Sequence, residues 1–123
     1  MMHILIIEDE FLIASSLDNY LTEFGYEVTS GIGDGLTAVK VVEQNHFNLI
    51  LMDINLQGSL DGVETMERIR AFSSIPVIYL TGNTDEATRN RAEKTNPISF
   101  MNKPVDLEKL CEVIALKGNG KSN

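Results

Sequence analysis

The stretch Leu49-Ile50-Leu51-Met52-Asp53 places four apolar residues directly before one carboxylate. A short, uninterrupted apolar run of this kind is typical of a strand that is buried on both faces of a sheet. A polar loop follows at once, so we expect the strand to end near Asp53. A charge at the end of a buried strand can meet solvent, a cation or a substrate only at the edge of the sheet. The stretch therefore predicts both a central strand and a polar group at its end.

Two other apolar runs end in polar side chains in the same way. Residues 4–7 run into Glu8-Asp9-Glu10, and residues 77–80 run into Thr81. Between these runs, apolar residues recur at helical spacing, which predicts a helix after each strand. The pattern predicts strands at 3–8, 27–30, 48–52, 77–80 and 98–101, and helices at 11–24, 35–45, 62–72, 85–95 and 106–116.

This alternation predicts an α/β fold with a doubly wound, five-stranded parallel sheet of the flavodoxin-like (βα)5 type. The first, third and fourth strands are the unbroken apolar runs, so they should be central. The second and fifth are of mixed polarity, so they should be edges. The order 2-1-3-4-5 satisfies both conditions with right-handed crossovers. In that order Asp9 and Asp53 face each other at the point where ligands bind in such sheets.

Length and composition indicate one domain and exclude several classes of partner. The chain has 123 residues, which we divide into a domain at 1–117 and a flexible tail at 118–123. Its net charge of -8 argues against direct binding of nucleic acid. The only cysteine, Cys111, fits a reducing compartment, and the N-terminus resembles neither a signal peptide nor a membrane span. We therefore expect a cytoplasmic protein with no membrane partner.

The predicted sheet edge gathers the groups that phosphoryl transfer requires. Glu8, Asp9 and Asp53 would repel one another there, and a hard cation with oxygen ligands such as Mg²⁺ relieves that repulsion. Thr81 would offer a hydroxyl from the next strand end, and Lys103 a positive charge from the fifth. A carboxylate nucleophile, a dication, a hydroxyl and an ammonium together predict a phosphoryl-transfer site with Asp53 as the attacking group.

Four motifs, in this order and at this spacing, make the chain similar to a known family. The sequence resembles the receiver domain of two-component response regulators over residues 3–116. The motifs are Ile-Ile-Glu-Asp-Glu at 6–10, Leu-Met-Asp-Ile-Asn at 51–55, Leu-Thr-Gly at 80–82 and Asn-Lys-Pro at 102–104.

The resemblance implies a role for each site residue. Asp53 would accept a phosphoryl group from the phosphohistidine of a sensor histidine kinase or histidine phosphotransfer protein. Mg²⁺, or Mn²⁺ in its place, would be bound by Glu8, Asp9, Asp53 and the backbone carbonyl of Asn55. Lys103 would bind the phosphate. The domain would catalyse only its own phosphorylation and dephosphorylation, and would not otherwise be an enzyme.

The resemblance also implies a conformational switch. Thr81 would move toward the phosphate, and Phe100, three residues before Lys103, would follow as the aromatic switch residue. The face formed by residues 85–116 would then change its affinity for a partner. The family pattern further implies a cis peptide bond between Lys103 and Pro104.

The chain departs from the common family pattern at four positions. Gln57 stands where a proline is frequent, and Gly62 comes one residue late, so the 53–62 loop is longer by one. Glu8 replaces a frequent aspartate, and Gly82 replaces a frequent alanine. None of these changes removes a reacting group, so they bear on loop shape and phosphate lifetime.

Three other functions remain as alternatives. A pseudo-receiver would be an interaction domain that is never phosphorylated, and the intact acidic pair argues against it. A flavin-binding domain would need donors after the first strand, where this chain is acidic. An aspartyl phosphatase typically has an aspartate two residues after the nucleophile, where this chain has Asn55. The glycines at 31, 33 and 35 mimic a dinucleotide-binding motif, but Leu36 occupies its sixth position and we predict only a tight turn.

Overall fold

The computed structural model describes residues 2–120, with side chains described for residues 2–116. Ten elements alternate strictly between strand and helix. The elements are β1 (His3–Ile7), α1 (Phe11–Glu23), β2 (Glu27–Ile32), α2 (Gly35–Gln44), β3 (Leu49–Asp53), α3 (Gly62–Ile69), β4 (Val77–Thr81), α4 (Glu86–Glu93), β5 (Ser99–Asn102) and α5 (Leu107–Gly120).

The strands form one parallel sheet in the order β2-β1-β3-β4-β5, which confirms the predicted topology. The register aligns the strand ends: Ile7 pairs with Met52, Asp53 with Leu80, and Thr81 with Asn102. The carboxyl ends of β1, β3, β4 and β5 therefore meet at one edge.

Two apolar layers enclose the sheet, one on each face. Leu5, Ile50 and Met52 pack with α2, α3 and α4, whereas Ile4 and Leu51 pack with α1 and α5. All residues of β3 and β4 are buried, as the uninterrupted apolar runs predicted. Burial on both faces holds the ends of these two strands firmly in position.

The segment 31–35 is the end of an edge strand and the start of a helix. Gly31 has a φ of 89° next to an irregularity in the pairing of β1 with β2, so β2 continues to Ile32 instead of ending at 30. The side chain of Asp34 then accepts hydrogen bonds from the backbone N–H groups of Leu36 and Thr37 and caps α2. The predicted tight turn over residues 31–35 is therefore replaced by the end of β2, a two-residue connection at Gly33 and Asp34, and the start of α2.

Helices α1 and α2 end one residue before their predicted ends, α3 and α4 end two or three residues before theirs, and α5 ends later than predicted. Helix α3 ends at Ile69 and α4 covers only Glu86–Glu93, because the adjoining residues form tighter turns. Helix α5 continues to Gly120, four residues beyond the predicted end. Glycine lowers helix propensity without forbidding a helix, which is why Gly118 did not mark the end. The rest of the predicted tail, residues 121–123, lies outside the described residues.

A buried polar network joins α3, β4 and the end of α4. The Tyr79 hydroxyl lies 2.7 Å from Thr95 Oγ1. Arg70 Nε donates to the carbonyl of Thr95 at 2.8 Å, and its Nη1 donates to the carbonyl of Ile75 at 2.7 Å. Burial raises the pKa of Tyr79 to about 12, so this hydroxyl stays protonated.

Within residues 2–120, no helix has the length and apolar character that crossing a membrane requires.

Candidate functional site at the carboxyl edge of the sheet

Three carboxylates converge where β1 and β3 end. Asp53 is the last residue of β3 and is 3% exposed, and Glu8 directly follows β1 and is also 3% exposed. Asp9 comes next and is exposed. One carboxylate oxygen from each of the three residues lies within 4.8 Å of the others. The structure therefore brings together the acidic residues that the sequence placed at this edge.

Lys103 supplies the positive charge in this group. Its Nζ lies 2.9 Å from Glu8 Oε1 and 3.2 Å from Asp53 Oδ1. The backbone N–H of Lys103 donates to the carbonyl of Thr81 at 2.8 Å, which fixes the β5–α5 connection against the end of β4. The Lys103–Pro104 peptide bond is cis, as predicted.

Thr81 ends β4 beside these charges, but its hydroxyl has a different partner. The side chain is buried, and its Oγ1 forms a hydrogen bond with the Oγ1 of Thr84. Thr84 precedes α4, so this bond connects the strand end with the start of that helix. The sequence analysis did not single out Thr84, because a hydroxyl in a polar loop carries no periodic signal.

The loop after Asp53 folds back over the acidic cluster. The backbone N–H of Asn55 donates to Asp53 Oδ1 at 3.0 Å. The carbonyl oxygen of Asn55 accepts a hydrogen bond from Gln57 Nε2 at 3.4 Å. The backbone N–H of Gln57 donates to Asp9 Oδ2 at 3.2 Å. Gln57 was noted in the sequence only as a departure from a pattern, and it contacts two groups of the site.

Helix α3 begins in direct contact with the phosphoacceptor candidate. The backbone N–H of Gly62 donates to the carbonyl of Ile54 at 3.1 Å. A Cβ at Gly62 would lie 2.1 Å from the backbone oxygen of Asp53, so only glycine fits here. Asp61 and Glu64 form a capping box that fixes the first turn of α3. The longer loop is therefore anchored at both ends.

The charges at the site shift two pKa values. Burial, together with the negative charge of Asp53, raises the pKa of Glu8 to about 7, against the lowering effects of the Glu10 N–H and Lys103. Burial alone lowers the pKa of Lys103, but its contacts with Glu8 and Asp53 raise it above the usual value. Lys103 therefore stays charged at neutral pH, while Glu8 binds a proton readily.

The raised pKa of Glu8 predicts a pH dependence of stability. Between pH 4.5 and about 7 the folded protein holds a proton that the unfolded chain has released. This stabilisation is complete below pH 4.5 and is lost as the pH rises through 7. We expect it to amount to about 3 kcal/mol. In the presence of a chelator, the thermal unfolding midpoint of wild type should fall more steeply with rising pH across this range than that of Glu8→Gln, whose amide does not titrate. If the midpoints of the two proteins changed with pH in parallel, the raised pKa of Glu8 would be contradicted.

Phe100 lies in β5, the edge strand next to β4. Its ring is half-buried and stacks on Tyr79, with centroids 5.5 Å apart and planes at 23°. The Arg89 guanidinium lies over the ring, 4.0 Å from its centroid. Phe100 thus contacts a core side chain and a side chain of helix α4, and its described aromatic and cation–π contacts do not involve the acidic cluster.

The donor set at this edge suits a hard divalent cation. Carboxylate and carbonyl oxygens are the ligands that Mg²⁺ prefers, and an open position on the exposed side would let it keep several waters. Glu8 Oε1 is buried and, among the residues the structure describes, has an ion pair with Lys103 but no hydrogen bond of acceptable geometry. One ammonium shared by Glu8 and Asp53 leaves the three carboxylates with excess negative charge, which a divalent cation would offset. The residues present therefore fit Mg²⁺.

Comparison with known proteins identifies the family. The sequence matches the profile of the response regulator receiver domain over residues 4–115. The chain belongs to the response regulator receiver domain family. Among solved structures, the receiver domain superposes on a CheY-like response regulator receiver protein from Methanospirillum hungatei JF-1 with a TM-score of 0.90 and 25% identity, covering 99% of this chain and 97% of that one.

Further relatives support this assignment. A signal receiver domain of a modulated diguanylate cyclase from Desulfovibrio desulfuricans G20 has a TM-score of 0.87 and 36% identity, covering 93% of this chain and 90% of that one. The transcriptional activator protein IrlR of Burkholderia pseudomallei is 34% identical over 89% of this receiver domain and 47% of its own length. The transcriptional regulatory protein PdtaR of Mycobacterium tuberculosis is 31% identical over 92% of this chain and 55% of its own length.

This receiver domain spans about half, or less, of the length of the curated relatives that it matches. Receiver domains of response regulators interact with histidine kinases, and membership of the family supports a phosphoacceptor signalling role. The family is not a class of enzymes as such.

Proposed function

We propose that this receiver domain is a Mg²⁺-dependent phosphoacceptor switch with Asp53 as the phosphorylated residue. The observation that carries the proposal is the convergence of the other site groups on Asp53: Lys103 Nζ lies 3.2 Å from Asp53 Oδ1, and oxygens of Glu8 and Asp9 lie within 4.8 Å. A buried carboxylate with this much arranged charge around it is costly as a purely structural feature. It is the arrangement that phosphoryl transfer needs.

The reaction is a single displacement at phosphorus. A carboxylate oxygen of Asp53 forms the new P–O bond while the P–N bond to the donor histidine breaks, and the imidazole nitrogen keeps the electron pair and regains a proton. The donor would be a sensor histidine kinase or a histidine phosphotransfer protein. Hydrolysis reverses the modification when water attacks phosphorus and the Asp53 carboxylate leaves. We propose that the domain catalyses these two reactions of its own and no other.

Lys103 would bind a phosphoryl oxygen once Asp53 is modified. In the unmodified protein its ammonium already lies between Glu8 and Asp53, so it needs to move little. Glu8, Asp9, Asp53 and the carbonyl of Asn55 would hold Mg²⁺, with Mn²⁺ as a substitute. When bound, the ion supplies positive charge that offsets the repulsion between these carboxylates and the phosphoryl oxygens.

Intact mass after incubation with a small acyl phosphate tests this function. We expect one added phosphoryl group when Mg²⁺ is present and none in EDTA. The absence of an adduct in both conditions, together with absence of Mg²⁺ binding, would instead favour a pseudo-receiver.

The proposal also includes a conformational switch, in which movement of Thr81 changes the face formed by residues 85–116. If Thr81 turns toward a phosphoryl group, it must release Thr84 and with it the start of α4. Phe100 would follow by leaving its place between Tyr79 and Arg89. Partner affinity at the face would then change with phosphorylation.

Amide chemical shifts provide the test of the switch. A beryllofluoride phosphoryl mimic should shift resonances across residues 81–103 in wild type. In Thr81→Ala the shifts should stay close to Asp53, because the link to Thr84 is gone. If the wild-type changes are also confined to the neighbours of Asp53, the switch proposal fails.

We further propose that the domain signals in the cytoplasm and binds neither nucleic acid nor membrane directly. The single cysteine, Cys111, is a buried free thiol, which suits a reducing compartment. The net charge of -8 disfavours contact with phosphate backbones.

A further inference from the structure

Gln57 contacts two groups that would have to serve the metal. Its side-chain amide donates to the carbonyl oxygen of Asn55 at 3.4 Å, and its backbone N–H donates to Asp9 Oδ2 at 3.2 Å. These are the two metal-ligand candidates on the exposed side of the cluster, since Glu8 and Asp53 are buried. Gln57 therefore contacts both of the exposed ligand candidates.

The local backbone supports this placement. Gly58 follows with a φ of 104°, a backbone conformation that favours glycine, and the chain bends there immediately after Gln57. The far end of the loop is fixed by the Asp61–Glu64 capping box. The position of Gln57 is thus set by the loop as well as by its two hydrogen bonds.

We infer that the Gln57 side chain competes with Mg²⁺ for the Asn55 carbonyl and so weakens metal binding by this receiver domain. The inference rests on the proposed function, because it concerns the same metal site. A carbonyl oxygen that already accepts a hydrogen bond has less electron density to give to a cation, and Gln57 Nε2 donates such a bond to Asn55. Metal binding by this carbonyl would therefore weaken or break the hydrogen bond from Gln57.

The expected effect is modest because the hydrogen bond is long and solvent-exposed. Losing one such bond corresponds to roughly a two- to fivefold change in affinity. Gln57→Met keeps the length of the side chain and removes the donor, and Gln57→Ala removes the side chain. Both variants keep the backbone N–H that contacts Asp9. Both should bind Mg²⁺ roughly two- to fivefold more tightly than wild type.

Calorimetric titration with MgCl₂ measures this directly, without phosphorylation. Gln44→Met is the matched control, because Gln44 is the only other glutamine and lies exposed at the end of α2. Its affinity should equal that of wild type. Unfolding midpoints in EDTA establish that the variants are folded.

A second readout follows the side chain itself. In the wild-type protein, the amide resonances of Gln57 should move during the MgCl₂ titration, while those of Gln44 should not. Unchanged or weaker binding in both Gln57 variants would overturn the inference while leaving the metal site intact. If neither wild type nor the variants bind Mg²⁺, the proposed metal site fails and the inference with it. Binding by the variants alone would support the inference strongly.

Discussion

Asp53→Asn should form no phosphoryl adduct under conditions in which the wild type gains one group. The amide is neutral and a poor nucleophile, so the attacking oxygen is lost while the shape of the side chain is kept. The amide oxygen can still accept the hydrogen bond from the Asn55 N–H, now 3.0 Å from Asp53 Oδ1. The fold should therefore survive, and the loss should be in the chemistry. Intact mass with Mg²⁺ and an acyl phosphate is the measurement.

Asp34→Asn is the matched control for this experiment. Asp34 is an exposed carboxylate that caps α2, and asparagine caps helices equally well. This variant should be phosphorylated like wild type. An adduct that persists in Asp53→Asn would show that another carboxylate is the acceptor, and Asp9 would be the next residue to replace.

Gly62→Ala should lower the free energy of unfolding by about 2–3 kcal/mol, a large effect for one methyl group. The new Cβ would lie 2.1 Å from the Asp53 oxygen and 2.9 Å from Ile54 Cα, both of them backbone atoms. Backbone at the end of a buried central strand cannot yield without moving its neighbours. The start of α3 must then shift, and the position of Asp53 with it. Urea unfolding followed by circular dichroism measures the change.

Gly82→Ala serves as the comparison for Gly62→Ala. Gly82 also follows a strand of the site, but a Cβ there would meet no atom within 4 Å. Its unfolding free energy should stay within about 0.5 kcal/mol of wild type. Equal losses in the two variants would mean that close packing against Asp53 is not what requires glycine at 62.

The sequence was sufficient to predict the sheet and the main groups of the site. Apolar runs mark the strands, as at Leu49–Asp53. The fully apolar strands were assigned to the centre of the sheet and the strands of mixed polarity to its edges, which led to the order 2-1-3-4-5. Once that order is given, Asp9, Asp53 and Lys103 must lie near one another, since the carboxyl ends of parallel strands share an edge. Their roles remain proposals that the experiments above address.

The sequence did not reveal the side-chain contacts between loops, because these contacts leave no periodic pattern in it. The partner of Thr81 is Thr84, and the buried end of α4 is held by Arg70 and Tyr79 through Thr95. Each of these depends on where two loops meet in space. Helix ends were missed for a related reason: at the ends of α3 and α5, hydrogen bonding of the last turn decides the boundary, and composition is a weak guide to it.

The way α4 is attached has a consequence for how a signal can travel. Among the described residues of α4 only Ala92 is buried, and Arg91 joins it to α3 through exposed ion pairs with Asp61 and Glu67 at 3.7 and 3.5 Å. Exposed ion pairs contribute little free energy, so the buried part of the attachment lies at the Thr95 end, and the rest of the helix is held by the Thr81–Thr84 hydrogen bond and the Arg89–Phe100 contact. If phosphorylation breaks these two contacts, the helix can transmit a signal by melting its first turns as well as by moving as a rigid body. The conformational entropy released by such melting would then favour the state that loosens it.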